Sequence, residues 1–138
     1  MNVLITLPAG LIKEISKNRK WYEIRPCFPL NYNRIHNRIF VVEKGTNQIR
    51  LSFRSPRFIK IENRSEAWRK FGNYLGVSIN FYFKYTKSKK NIYLWPITNL
   101  ILYDDGCLTT TEIGIRRNPQ SFCYFSHSKK NSELFTNP

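Results

Sequence analysis

The sequence predicts a single α+β domain built around a mixed sheet or small barrel. Three observations carry that reading. Short β-branched and aromatic runs recur along the chain, from NVLIT (2–6) to SFCYF (121–125). Two stretches, AGLIKEISK (9–17) and SEAWRKFGNYLG (65–76), instead space their apolar residues as short helices do. The chain has 138 residues, 41% hydrophobic and 23% charged, enough to bury one core without disulfides or a metal.

NVLIT is the first strand. After Pro8, Leu11, Ile12 and Ile15 fall on one side of a helix and leave Lys13, Glu14 and Lys17 to solvent. WYEIR (21–25) is the second strand, stopped by Pro26. Its alternation puts Tyr22 and Ile24 on one face and Trp21, Glu23 and Arg25 on the other. CFPLNYN (27–33) reads as a loop. IFVVEKGTNQIRLSFRS (39–55) is a hairpin that turns at 44–47 around Gly45, and FIKIE (58–62) adds a short alternating stretch. In the second helix Ser65 is the N-cap, Gly76 the stop, and Trp68, Phe71 and Leu75 the buried stripe. VSINFYFKY (77–85) and NIYLWPITNLILYDD (91–105) follow as strands joined by the basic turn TKSKKN. LTTTEIGI (108–115) and SFCYF complete the set. The domain is expected to span 1–125, with 126–138 a loose tail.

Charge narrows the function. Lys and Arg number 23 against 9 Asp and Glu, giving a net charge of +14 and a sequence pI near 10.0. Positions 1–100 hold 19 basic and 5 acidic residues, and 101–138 hold 4 of each. The excess thus lies in the first hundred residues, where it attracts phosphate backbones through counterion release. Composition favours nucleic acid over a basic surface kept for solubility or for anionic lipid.

Other chemistries lack their residues. Cys27, Cys107 and Cys123 are scattered, and His36 and His127 have no ligand-like spacing, so neither a metal nor a cofactor is expected. The thiols read as those of a reduced, cytoplasmic protein. MNVLITLPAG has no basic region ahead of its apolar run, and no run approaches the length of a membrane span, so neither a signal peptide nor a membrane partner is expected. No P-loop, Rossmann glycine set or paired-carboxylate metal site is visible; Asp104 and Asp105 read as a turn. Ser121 lacks the G-x-S-x-G context of a hydrolase nucleophile, and His36 reads as a surface residue.

Asn18-Arg19-Lys20-Trp21-Tyr22-Glu23-Ile24-Arg25, directly after the first strand and helix, resembles the G-x-K-[TW]-x-E-x-R motif of the ASCH domain. Lys20, Glu23 and Arg25 match; Asn18 replaces the turn glycine and also tolerates a left-handed backbone. RNPQSFCYF (117–125) is similar to a Pro-Gln-Ser-aromatic element of some phage and bacterial ASCH-like proteins, so the resemblance spans 1–125. It implies the PUA-like superfamily fold, an α+β small mixed β-barrel with two or three short helices, and an association with RNA. It also implies a cleft beside the barrel, floored by Lys20, Glu23 and Arg25, that accepts a nucleotide or a base. Some members are implicated in RNA cleavage, and others hydrolyse acetylated cytidine with a Lys, a Thr and a Glu. Lys20 matches that lysine, but Glu23 stands at the threonine position, which argues against deacetylation.

The residues fit these roles as follows. Lys20 is a phosphate clamp or a lysine of lowered pKa, Glu23 an acceptor for a base edge or an acid/base, and Arg25 a phosphate ligand. Trp21 stacks on a base or caps the core. Arg54, Arg57, Lys60 and Arg64, with Arg69 and Lys70, form one basic run; Lys84, Lys87, Lys89 and Lys90 form a second. Gln120 and Ser121 reach the cleft if the barrel closes. The resulting expectation is an RNA-binding module, with single-stranded DNA as the second nucleic acid. The alternative is an enzyme, a ribonuclease or modified-nucleoside amidohydrolase, with Lys20 and Glu23 catalytic. A basic protein binding an acidic protein partner is the third class.

Overall fold

The structure is a computed structural model and describes residues 1–126. In chain order its elements are β1 (Asn2–Leu7), α1 (Ala9–Ser16), β2 (Tyr22–Arg25), β3 (Ile39–Glu43), β4 (Ile49–Arg54), β5 (Ile59–Lys60), α2 (Arg64–Phe71), α3 (Ile79–Lys87), β6 (Tyr93–Pro96), β7 (Thr98–Leu102) and β8 (Phe122–Phe125). A 3₁₀ turn at Gly72–Tyr74 lies between α2 and α3. The expected tail lies outside the described residues apart from Ser126, as does His127.

β1 and β3 pair in parallel near the centre of a five-stranded sheet of order β7-β4-β3-β1-β8, whose other pairings are antiparallel. Each is covered on both faces, which is why NVLIT and IFVV read as unbroken apolar runs. On one face Val3, Ile5, Ile39, Val41, Leu51 and Phe53 meet Ile12 and Ile15 of α1 and Trp95 of β6. On the other, Leu4, Phe40, Val42, Ile49 and Phe125 meet Leu108 and Ile113. A second sheet, order β2-β6-β5 and all antiparallel, packs Ile24 and Leu94 against Leu75, Ile92 and Tyr82. No helix among the described residues is long and apolar enough to cross a membrane.

The sheets do not close into the expected barrel. The chain passes between them at Ile97, so β6 belongs to one sheet and β7 to the other. Two further expectations are corrected. Residues 77–85 are not a strand: α3 begins there, with Ser78 as its N-cap, its Oγ accepting from the Phe81 amide at 3.1 Å. Apolar residues at 77, 79, 81, 83 and 85 imitate a strand's period of two. The tertiary structure selects the helical period, burying Tyr82 and Thr86 one turn apart. Residues 108–115 form turns rather than a strand, touching the ladder only through a bridge between Gln48 and Thr109; their apolar pattern serves to insert Leu108 and Ile113 into the second core.

The second helix also starts earlier. Asn63, not Ser65, accepts from the Glu66 amide as its N-cap. Of its expected stripe Leu75 is buried, while Trp68 and Phe71 are half-buried. Gly76 sits in the left-handed region at φ +71, and a Cβ there would lie 3.0 Å from Lys20 Cβ and Cδ. Gly10, inside α1, has open space around its missing Cβ. The same substitution therefore has opposite signs at the two sites. Gly76→Ala is expected to lower stability by at least about 1–2 kcal/mol, and Gly10→Ala to raise it by about 0.5–1 kcal/mol. Urea midpoints at unchanged slope check both.

Candidate nucleotide cleft

The turn into β2 depends on Asn18, which adopts φ 61 and fills the left-handed position in place of glycine. The Lys20 side chain then runs beneath Gly76. Its Nζ donates to the Leu75 carbonyl at 2.7 Å and lies 3.3 Å from Glu23 Oε1. Glu23 Oε1 also accepts from the Ile24 amide at 3.1 Å, and Glu23 Oε2 accepts from Arg25 Nε at 2.9 Å. Arg25 Nη1 donates to the Ser121 carbonyl at 2.9 Å and Nη2 to the Thr6 carbonyl at 3.2 Å. The guanidinium lies 5.9 Å from the Trp95 ring centroid. All three residues are buried, at 2%, 3% and 8% exposure for Lys20, Glu23 and Arg25.

These residues floor a cleft of about 440 Å³. One wall is α3 and the residues just past it: Phe81 and Tyr85 stack with centroids 5.8 Å apart, and Lys89 Nζ lies 5.3 Å from the Tyr85 centroid. Gln120 and Ser121 stand on the rim. Thr6 Oγ1 donates to the Pro119 carbonyl at 2.8 Å, and Ser121 Oγ lies 3.6 Å from Cys27 Sγ. The structure thus brings Lys20, Glu23, Arg25, Gln120 and Ser121 together although the barrel is open.

The remaining expected site residues lie elsewhere. Trp21 precedes β2, and its ring stacks on Tyr74 outside the cleft. Arg57 and Lys60 are exposed away from it, and Arg54, half-buried at the end of β4, does not line it. Arg64 also lies outside, but its Nη2 donates to the Lys89 carbonyl at 2.6 Å and so braces the cleft wall. Sequence reasoning missed Phe81 and Tyr85 as cleft residues because it assigned 77–85 to a strand. The signal was their spacing with Lys89, at i, i+4 and i+8, behind a serine cap.

The floor is a coupled charge system. Burial lowers the Lys20 ammonium from its ordinary 10.5, partly opposed by attraction to Glu23. Burial alone would raise Glu23, but Lys20, Arg25 and the hydrogen bonds it accepts outweigh that and hold it below its ordinary 4.5. We regard Glu23 as an ionised anchor between two cations. With Lys20 protonated the trio keeps one surplus positive charge.

Because folding depresses the Glu23 pKa, its contribution to stability is fully present above about 4.5 and is lost as pH falls through the lower folded value. Glu23→Gln leaves two cations buried without their counter-charge and is expected to cost about 3–5 kcal/mol at neutral pH. Its acid unfolding profile is expected to be shallower than wild type below pH 4.5. Urea titrations across pH measure both effects.

No protein-family model matches the chain, and comparison with curated proteins gives no match. Solved structures do match. ASCH from Zymomonas mobilis superposes with TM-score 0.73 at 16% identity, covering 98% of this chain and 93% of that chain. A tyrosine-to-phenylalanine variant of that protein gives TM-score 0.73 at 15% identity, over 99% and 97% of the two chains. A serine-to-alanine variant gives 0.72 at 15%, over 98% and 94%. The protein therefore has the PUA-like fold of the ASCH domains, the family that its motif at 18–25 resembles.

Proposed function

We propose that this chain is an RNA-binding module of ASCH type whose cleft receives one nucleotide. The observation that carries the reading is the joining, in one cleft, of a cationic floor at Lys20 and Arg25 with the ring faces of Phe81 and Tyr85. A base stacks on an aromatic face whatever its sequence, and a phosphate seeks a cation. Phe81 is 50% exposed, and so offers its ring to a ligand. Lys89, beside Tyr85, is the phosphate contact of choice, because each nitrogen of Arg25 already has a protein acceptor. Gln120, exposed on the rim, offers a donor and an acceptor to a base edge. The net charge of +14 supplies salt-sensitive affinity that positions the strand without reading it.

One observation favours a second reading, chemistry on RNA or a modified nucleoside in the same cleft. The Lys20 amine is buried against a carboxylate with its pKa lowered, a state suited to proton transfer. Both readings use the same cleft and differ in whether a product forms.

The test is a titration of labelled single-stranded RNA, and of DNA of the same sequence, across salt, with every sample then run on a denaturing gel. Tyr85→Ala is expected to weaken RNA binding by about 5- to 150-fold, the worth of one stacked base. Lys89→Ala is expected to reduce the salt slope by about 1. Intact RNA supports the binding module. RNA shortened by wild type but not by a folded Lys20→Met variant supports the enzyme. Absence of binding to RNA at physiological salt overturns the proposal.

A further inference from the structure

Trp21 is 41% exposed, yet its ring is fixed. The indole Nε1 donates to the Asn18 carbonyl at 2.9 Å, and the ring stacks on Tyr74 with centroids 4.1 Å apart and planes 15° from parallel. Its backbone is held as well. The Trp21 amide donates to the Tyr74 carbonyl at 2.7 Å, and the Ile97 amide donates to the Trp21 carbonyl at 2.9 Å. Core packing accounts for Trp95, which is fully buried, but not for an indole held in place while two-fifths exposed.

The tryptophan lines a groove of about 250 Å³ with Asn18, Thr98, Asn99 and Leu100. Lys20 lines both this groove and the cleft, so the two are adjacent. Asn18 and Asn99 both take left-handed backbones, and their side-chain amides make no hydrogen bond to another described residue. The groove thus presents a flat aromatic surface bordered by amide donors and acceptors, on a chain whose net charge of +14 selects anionic ligands. A nucleobase in a phosphodiester strand has each of those properties: a flat face, a polar edge and a negative linker.

We propose that Trp21 is a second base-stacking platform, and that the ligand is a single-stranded nucleic acid at least two nucleotides long. One base enters the cleft and a neighbouring base extends the Tyr74–Trp21 column. The proposal rests on the RNA-binding reading and deepens it: it selects a strand over a free nucleoside. The indole has little side-chain freedom left to lose, so stacking on it carries a small entropic penalty.

The test compares a mononucleotide, a dinucleotide and an octanucleotide of RNA, with an octanucleotide of DNA alongside, by calorimetric titration against wild type, Trp21→Ala and Trp21→Tyr. Circular dichroism checks that each variant folds. Wild type is expected to bind the dinucleotide and octanucleotide more tightly than the mononucleotide. Trp21→Ala is expected to weaken octanucleotide binding by about 5- to 150-fold while leaving the mononucleotide unchanged, and Trp21→Tyr to retain most of the gain. An unchanged octanucleotide affinity in Trp21→Ala overturns the platform and leaves the cleft reading standing. So does an equal loss for all lengths, which would place the tryptophan in support of the cleft. Failure of wild type to bind any of these ligands overturns both.

Discussion

The carboxylate of Glu23, 3% exposed, lies between Lys20 and Arg25, and each cation then reaches the backbone of another part of the chain. Lys20 holds the Leu75 carbonyl ahead of α3; Arg25 holds Thr6 at the end of β1 and Ser121 at the entry to β8. One buried anion thereby joins four segments that are distant in sequence. The net worth of such a group against well-packed apolar residues is small, because two cations and a carboxylate must leave water. What apolar residues lack is direction. The hydrogen bonds fix where the rim at 120–121 and the turn before α3 stand relative to the floor, and those positions define the cleft.

That arrangement explains why the two motif segments belong together. The strand motif at 20–25 and the segment at 119–121 are nearly a hundred residues apart, yet Arg25 bonds directly to Ser121. Gly76 completes the arrangement from the other side, since its missing Cβ leaves room for the Lys20 stem. A side chain at 76 would have to displace the lysine that pairs with Glu23.

Positive charge is divided between structural and open positions. Arg38, 9% exposed, donates to Ser52 and to the Asn99 carbonyl, with burial lowering its pKa. Arg64 braces the end of α3, and Arg50 pairs with Glu43 and Asp105. These arginines bind the fold together while their charge still contributes to the long-range field. In the cleft the aromatic rings and a further lysine stand instead on one wall, Phe81 and Tyr85 on α3 and Lys89 just beyond it.

The sequence by itself determined the elements whose local pattern had a single solution. The strands β1 and β3, the hairpin turning around Gly45, the left-handed Asn18 and the ionic motif at 20–25 were legible because residue type, turn chemistry and spacing agree there. Tertiary structure alone decided α3, because alternating apolar residues at 77–85 fit either period until Tyr82 had a cavity to fill beneath Arg64. It also decided that 108–115 is a plug rather than a strand, and that the sheets stay open where the chain changes sheet at Ile97. The cleft's aromatic wall lay hidden for the same reason. A side chain's face is set by the element that carries it, and that element was chosen by contacts far away in sequence.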